Sequence, residues 1–394
     1  MSEHKHKFEF AQRNLNSNVE CLARHTSNAT SNPWGIVTVK DNCHKERKCH
    51  CEKKCRCENK CRCEKKCKCE KKCKCEKTCN REKCHKKNCF DDECHKNRCH
   101  DKCWKDKCNK KDCKDENCHR ERCHENCHKD RNNYWVANNT GQTLNKYSGS
   151  GKLLDSVIVE GGPPTGLIKN KSSNFQDFKF LTATESGTID GFNPQINPSA
   201  TMIVINNPGA VYKGLAISCK KLYVANFASG NIEIYDDNFS PRGTFTDQGL
   251  VNSGYAPFNV VFHNDLLYIT FAKKEEGETD ETAGNGFGYV DVFNKNGRFC
   301  QRLINREPLN APWALLFSKC DKFLYVGNFG DGRINVFDLY TGWFIKPLKD
   351  CHGNIISIDG LWGLVWNNEA IGFAAGIDDE MNGLIGELIP CSCC

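Results

Sequence analysis

The sequence predicts an all-β fold: a six-bladed β-propeller with a disulfide-stapled, cysteine-rich insertion in blade 1. Three observations lead there. A unit of three short strands recurs six times. Twenty-two of the thirty cysteines fall between Cys43 and Cys127. Excising that stretch restores an ordinary length to the first unit. Length alone decides little, since 394 residues could hold several average domains, yet all-β propellers use such lengths as one.

Each unit reads as a buried strand, a short turn, an aromatic strand ending in Asn or Glu, and a third strand with period-two alternation. The clearest copies are KGLAI (213–217), LYVANF (222–227) and GNIEIYD (230–236), then PWALL (312–316), LYVGNF (324–329) and GRINVFD (332–338). Weaker copies open at Pro164, Pro257 and Leu361. The first copy is split: NPWGIV (32–37) supplies its opening strand and YWVANN (134–139) its second, with the cysteine segment between them. Openings at 164, 213, 257, 312 and 361 lie 44 to 55 residues apart, whereas 33 to 164 spans 131, and removing residues 43–128 leaves 45. Fourth strands are legible at Arg242–Phe245 and Phe299–Leu303. The sixth unit reaches Cys394 without one, so the N-terminal segment Phe8–Leu15 is expected to pair there and close the ring. The expected organisation is therefore a closing strand and first strand of blade 1 in residues 1–42, the insertion in 43–130, and the rest of the propeller in 131–394.

NPWGI (32–36), the run from Tyr134 to Leu154, PPTGL (163–167) and FLTATESGTIDGFNP (180–194) resemble an uncharacterised family of NHL-like propellers from bacteria and giant DNA viruses. The resemblance covers nearly everything outside the cysteine-rich arm. It implies the propeller fold and carries no activity. The arm departs from the family pattern, in which the opening strand runs almost directly into the second.

Charge is divided as sharply as cysteine. Residues 43–130 hold 30 Lys plus Arg against 18 Asp plus Glu, so the arm carries +12 of a chain whose formal net charge is +7. A basic stripe can hold nucleic acid through phosphates. Here acids interleave with bases, as in Cys57-Glu58-Asn59-Lys60, and stacking aromatics are scarce, which reads better as a solvated surface. Nucleic acid is not an expected partner. Met1–Phe10 is charged and lacks the apolar run of a secretory signal, and no stretch is long enough to span a membrane. Cysteine density points to an oxidising setting while the missing signal points to the cytosol. A giant-virus product oxidised during or after cytoplasmic assembly reconciles the two.

The arm has two rhythms. Cys43 leads; Cys49, Cys51, Cys55, Cys57, Cys61, Cys63, Cys67, Cys69, Cys73, Cys75 and Cys79 repeat as Cys-x-Cys-x-x-x with a period of six. Cys84, Cys89, Cys94, Cys99, Cys103, Cys108, Cys113, Cys118, Cys123 and Cys127 then follow at intervals of five or four. Phe90 and Trp104 are the only other large apolar residues, so burial cannot offset a chain entropy of about 1–2 kcal/mol per residue. Covalent bonds or metals must hold any structure there. Disulfides suit the period, because rungs every five or six residues bring Cα atoms to the roughly 4.4–6.8 Å that a bridge needs. Neighbours in Cys-x-Cys bond each other poorly, which favours bonds to other rungs or other molecules. The alternative is zinc or copper on a metallothionein-like cluster. Lys-Cys-Lys-Cys (66–69 and 72–75) favours it locally, and eight histidines (His44, His50, His85, His95, His100, His119, His124 and His128) each follow a cysteine. No Cys-x-x-Cys occurs in the arm, which excludes a single zinc finger.

Cys219 and Cys320 fall in the same first-to-second turn of blades 3 and 5, and Cys391, Cys393 and Cys394 follow the third strand of blade 6. All five are expected on the face from which the arm leaves. Cys21 and Cys351 precede the openings of blades 1 and 6 and are a candidate pair on the opposite face. Glu185, Asn226 and Asn328 sit at matching strand ends, where related propellers can hold a metal over the channel. Asn there more commonly caps a turn, and His263 and His352 stand apart. No phosphate loop, nucleophile elbow or zinc motif specifies a reaction. Sequons at Asn28, Asn138, Asn170 and Asn238 mean little without secretion.

The expectation is a non-enzymatic structural protein with no catalytic residues and no cofactor. It would assemble with itself, and with other coat components, into a filament, tube or particle coat crosslinked by the arm. A virion surface or an extracellular or vacuolar assembly is the expected location, with the cytoplasm as alternative. A metallothionein-like protein and a ligand-binding propeller are the other function classes.

Overall fold

The computed structural model describes residues 19–27, 32–39 and 132–390. The chain enters as β1 (Val19–Ser27) and then builds blade 1 from β2 (Pro33–Val39), β3 (Asn133–Asn138), β4 (Thr143–Tyr147) and β5 (Leu153–Ile158). Blade 2 is β6 (Pro164–Lys169), β7 (Phe180–Thr184), β8 (Thr188–Phe192) and β9 (Met202–Asn206). Blade 3 is β10 (Tyr212–Ile217), β11 (Lys221–Asn226), β12 (Asn231–Asp236) and β13 (Pro241–Phe245). Blade 4 is β14 (Tyr255–His263), β15 (Leu266–Lys273), β16 (Gly288–Asn294) and β17 (Phe299–Asn305). Blade 5 is β18 (Pro312–Phe317), β19 (Phe323–Asn328), β20 (Ile334–Asp338) and β21 (Phe344–Pro347). Blade 6 takes β22 (Leu361–Asn367), β23 (Ala370–Ile377) and β24 (Asn382–Pro390) from the end of the chain and β1 from its beginning. Every pairing between these strands is antiparallel, and the innermost strands touch in the cyclic order β2, β6, β10, β14, β18, β22 and back to β2. This is an all-β six-bladed propeller.

Closure by an N-terminal strand is observed, but the strand is not the expected one. β1 runs antiparallel to β24 with Val19 opposite Pro390 and Ser27 opposite Gly383. The segment Phe8–Leu15 lies outside the described residues, and the edge assigned to it is taken by Val19–Ser27. Geometry explains the choice: a strand ending at Ser27 reaches Pro33 through a short link, as blade-to-blade connections commonly do. The pattern VECLARHTS hid it, because it lacks the sustained apolar alternation by which a strand is read from sequence.

All six innermost hairpins carry a register shift at the same place, just after the first residue of the repeat. Such a bulge re-aims one side chain. The residues it turns inward are Trp34, Thr165, Lys213, Phe258, Trp313 and Trp362, all buried. The next residue must let the neighbouring blade approach. A Cβ on Gly35 would sit 2.5 Å from the backbone nitrogen of Leu167, and one on Gly214 would sit 2.6 Å from the Cα of Asn259. Glycine at these two positions is a packing requirement, which explains the recurring W-G and K-G pairs.

A second repeated device lies on the third strands. Asp190, Glu233, Asp291 and Asn335 hold equivalent places, and each grips the connection leading into its own blade. Asp190 Oδ2 accepts from the Gly161 amide at 2.9 Å, and Glu233 Oε1 accepts from Asn207 Nδ2 at 3.3 Å. Arg302 bridges Asp291 to Asp247, and Asn335 Nδ2 donates to the Pro308 carbonyl at 3.3 Å. A buried acid without such partners would cost several kcal/mol. The clasps therefore fix blade spacing as well as satisfying the acids.

Candidate functional site

The inward residues converge on the axis near one mouth of the channel, called here the upper mouth, where the second-to-third turns lie. Trp34 stacks on Trp362 with ring centroids 3.7 Å apart and planes at 15°. Trp313 meets Trp362 edge-on at 5.2 Å, Phe258 meets Trp313 edge-on at 4.8 Å, and Phe329 stacks on Trp362 at 4.1 Å. Edge-on and offset contacts of this kind add about 0.5–1.5 kcal/mol each to what area burial provides. The Trp362 N–H is shared between Asn32 Oδ1 at 3.1 Å and Glu380 Oε1 at 2.8 Å. Trp34 Nε1 is buried without a hydrogen-bond partner.

Lys213 interrupts this aromatic ring. Its side chain is fully buried, and Nζ donates to Glu185 Oε1 at 2.7 Å and to Asp280 Oδ1 at 2.9 Å. The same Nζ lies 4.6 Å from the Trp34 ring centroid, a cation–π contact. Burial alone pushes the ammonium down, but the carboxylates of Glu185, Glu281 and Asp280 outweigh it and hold Lys213 above its ordinary value. Glu281 carries the opposite stress: burial pushes its carboxyl up to about 7, with Lys213 opposing. Glu380 is also raised, chiefly by burial. Lys274 sits beside this group, donating to the carbonyls of Phe227 and Ala228 at 3.1 and 2.9 Å, and burial lowers its pKa.

The chemistry open to this arrangement is limited by Lys213. A charged ammonium among carboxylates is a poor nucleophile, and it occupies the place where a bound cation would be drawn. Among the described residues no group of three His, Cys, Asp or Glu is arranged to hold a metal ion. Of the strand-end residues expected near the axis, Glu185 serves as the Lys213 counter-ion and also accepts from Asn139 Nδ2 at 3.3 Å. Asn226 caps its turn by accepting from the Ser229 amide at 3.2 Å. Asn328 donates to Pro308 O at 2.9 Å and to Asp331 Oδ1 at 3.1 Å. His263 is not alone: it pairs with Asp321 at 3.0 Å and stacks on Phe317 at 3.8 Å. Sequence reading missed Lys213, Asp280, Glu281 and Glu380. The available signal was that Lys213 stands where three other copies of the repeat carry Trp.

Below the aromatic ring the channel opens into a cavity of about 170 Å³ bounded mainly by apolar residues, among them Ile36, Leu167, Leu215, Leu315 and Leu364. The one amide there, Asn259, donates to the Trp313 carbonyl at 3.0 Å. This space is near the roughly 150 Å³ that admits benzene and well short of the ~300 Å³ at which drug-sized sites begin.

The first-to-second turns surround this lower end. The chain leaves blade 1 after Val39 and re-enters at Asn133 on this side, and Cys219 and Cys320 are exposed in the equivalent turns of blades 3 and 5. The arm cysteines from Cys43 to Cys127, and Cys391, Cys393 and Cys394, lie outside the described residues. Cys21 falls inside β1, opposite Leu388 in the outer edge of blade 6, and not in the lead-in to blade 1. Cys351 is exposed in the connection between blades 5 and 6, beside His352. Cys300, which the sequence reading left unassigned, is exposed on β17. Asn138 and Asn170, two of the sequon positions, are buried.

No family model matches the chain. Three proteins of Acanthamoeba polyphaga mimivirus do. Uncharacterized protein R648 is 33% identical over 290 residues, which are 65% of this chain and 72% of the relative. Uncharacterized protein L690 is 33% identical over 294 residues, 66% of this chain and 77% of the relative. The chain belongs to this family of uncharacterized mimivirus proteins. Uncharacterized protein R640 is 34% identical over 239 residues, 57% of this chain and 45% of that longer relative. Among solved structures, a streptogramin B lyase matches with a TM-score of 0.45 and 13% identity over 65% of this chain and 75% of its own. A catalytically inactive virginiamycin B lyase from Staphylococcus aureus with quinupristin matches at 0.45 and 14%, over 66% and 77%. Family membership rests on the viral relatives. Among the described residues no helix is long and apolar enough to cross a membrane.

Proposed function

We propose that this protein is a non-enzymatic, self-assembling structural component of a giant virus, an NHL-like propeller whose cysteine-rich arm crosslinks subunits by disulfides. The observation that carries the reading is the division of labour around the channel. The upper mouth is filled by aromatic side chains and a neutralised ammonium, whereas the lower side carries both attachment points of the arm and the exposed Cys219 and Cys320. A rigid ring with a sealed mouth suits a building block, and thiols gathered on one side suit bonds to a neighbour. Virion-surface or extracellular location follows from the same reading, because disulfides persist outside the reducing cytosol.

The test uses protein isolated from its natural source, run on denaturing gels with and without reductant, with zinc and copper measured on the same sample. Multimers that collapse to one chain in reductant, with little metal, support the crosslinked structural role. A monomer on both gels carrying several zinc or copper ions per chain overturns it in favour of metal storage.

A further inference from the structure

Among the described residues Lys213 is the one fully buried lysine, and it is held between two carboxylates. Nζ lies 2.7 Å from Glu185 Oε1 and 2.9 Å from Asp280 Oδ1. The two acids differ in setting. The Asp280 side chain is 72% exposed, whereas that of Glu185 is 29% exposed. The second oxygen of Glu185, Oε2, accepts from Asn139 Nδ2 at 3.3 Å. The buried rings of Trp34 and Phe227 lie against Nζ, with centroids 4.6 and 5.9 Å away. An amine, a carboxyl group and a second carboxylate enclosed by aromatic rings are the components of an amide-forming site.

The frame around these groups is fixed. The Glu185 backbone amide donates to the Pro163 carbonyl at 3.0 Å, and Asn139 Nδ2 also donates to the Pro164 carbonyl at 3.3 Å. Across the blade boundary, Thr165 Oγ1 on β6 donates to the Lys213 carbonyl on β10 at 2.7 Å. Reactants held in one geometry act on each other at effective concentrations of about 10⁵–10⁸ M. Burial also supplies a driving force, since a neutral amide costs less to keep out of water than an ammonium and a carboxylate.

We propose that Lys213 and Glu185 condense to an isopeptide bond that ties blade 2 to blade 3, with Asp280 carrying the protons. The ammonium itself cannot attack, so the step begins when a proton passes from Nζ to Asp280 Oδ1. Nζ then adds to Glu185 Cδ, and Asn139 Nδ2 steadies the oxygen on which charge gathers. The Cδ–Oε1 bond breaks as the Cδ–Nζ bond is kept, and Oε1 departs as water with the two protons that Nζ gives up. The ammonium and carboxylate charges cancel, Asp280 regains its carboxylate, and no oxidant or co-reactant is consumed.

The neighbouring carboxylates hold Lys213 above its ordinary value, which keeps the neutral amine scarce and the reaction slow. That scarcity rules out repeated turnover by Lys213. It does not rule out a step that each chain completes once, because the reactants wait in place for the life of the protein. The bond joins neighbouring blades near the axis and needs neither the arm nor a second copy, so it stands apart from the assembly reading.

The test is mass spectrometry of the full chain, reduced, alkylated and denatured, for wild type, Lys213→Arg and Asp280→Asn. Wild type is expected to weigh one water less than its sequence and to yield, on proteolysis, a peptide branched between Lys213 and Glu185. Lys213→Arg keeps the cation and is expected at full mass with no branch. Asp280→Asn changes an exposed side chain and is expected to form the link at least about tenfold more slowly. Wild type at full mass overturns the proposal. Loss of water without the branched peptide overturns it as well, since dehydration elsewhere in the chain then accounts for the mass. A branch from Lys213 to Asp280 rejects Glu185 as the acyl partner, and an unchanged rate in Asp280→Asn rejects the proton transfer assigned to it. None of these outcomes bears on crosslinking by the arm, which the gels judge separately.

Discussion

The two ends of the channel are built from the same repeat and end in opposite states. At the upper mouth five of the six inward residues of the opening strands are bulky or charged, three tryptophans, a phenylalanine and Lys213, with Thr165 the small exception, and they are all buried. Toward the lower end the inward positions shrink to Gly, Leu, Ala and Asn, and about 170 Å³ stays unfilled. A propeller that binds through its axis keeps a polar, open mouth. Here one end is filled with packing energy and the other with little of it, which places stability above.

The contrast predicts unequal costs for truncation. Trp362→Ala at the filled end removes the Trp34 stack, the Trp313 and Phe329 contacts and a shared N–H, and should cost about 3–5 kcal/mol in a denaturant titration. Lys213→Met keeps the bulk but leaves Glu185 and Asp280 without their cation. Because both carboxylates reach solvent in part, the expected loss is about 1–3 kcal/mol, larger at pH 8 than at pH 5 because Glu281, pushed up by burial to about 7, adds its charge beside Lys213 only at the higher pH.

A pH series sharpens the same point. Glu281 titrates near 7 in the folded chain against an ordinary 4.5, and Asp291 near 6 against 3.8, both raised chiefly by burial. A carboxyl raised on folding binds its proton more tightly in the native state. Its contribution is intact below the ordinary value and fades as pH climbs through the folded one. The melting temperature should therefore fall between about pH 4.5 and pH 7, and Glu281→Gln should flatten most of that slope. A melting temperature rising steadily over this window in wild type would contradict the burial of Glu281. The smallest effect belongs to the lower end: Leu364→Ala, beside space already empty, should cost only about 1 kcal/mol, below the ~2–5 usual for a filled core.

Much of this was legible in the sequence, for a reason tied to repetition. The openings at Pro33, Pro164, Pro312 and Leu361 coincide with the first residues of β2, β6, β18 and β22. Each blade states the pattern again, so a weak copy such as the sixth is read by its neighbours. The closing strand was misplaced because it belongs to no copy: Val19–Ser27 is defined by pairing with β24, far away in sequence. The site was half legible. Glu185 could be named from its strand end, but its role depends on Lys213 from the next blade and on Asp280 from the long connection after β15. Convergence on an axis leaves no local spacing to read.

The central claim, that the cysteine-rich arm serves covalent assembly, is met most directly by counting free thiols in natively isolated protein. Alkylation without prior reduction, followed by mass spectrometry, gives the number per chain. The account predicts few modified cysteines, with those of the arm becoming reactive only after reductant. A chain in which some twenty cysteines alkylate at once after metal removal, with no reductant needed, would contradict it.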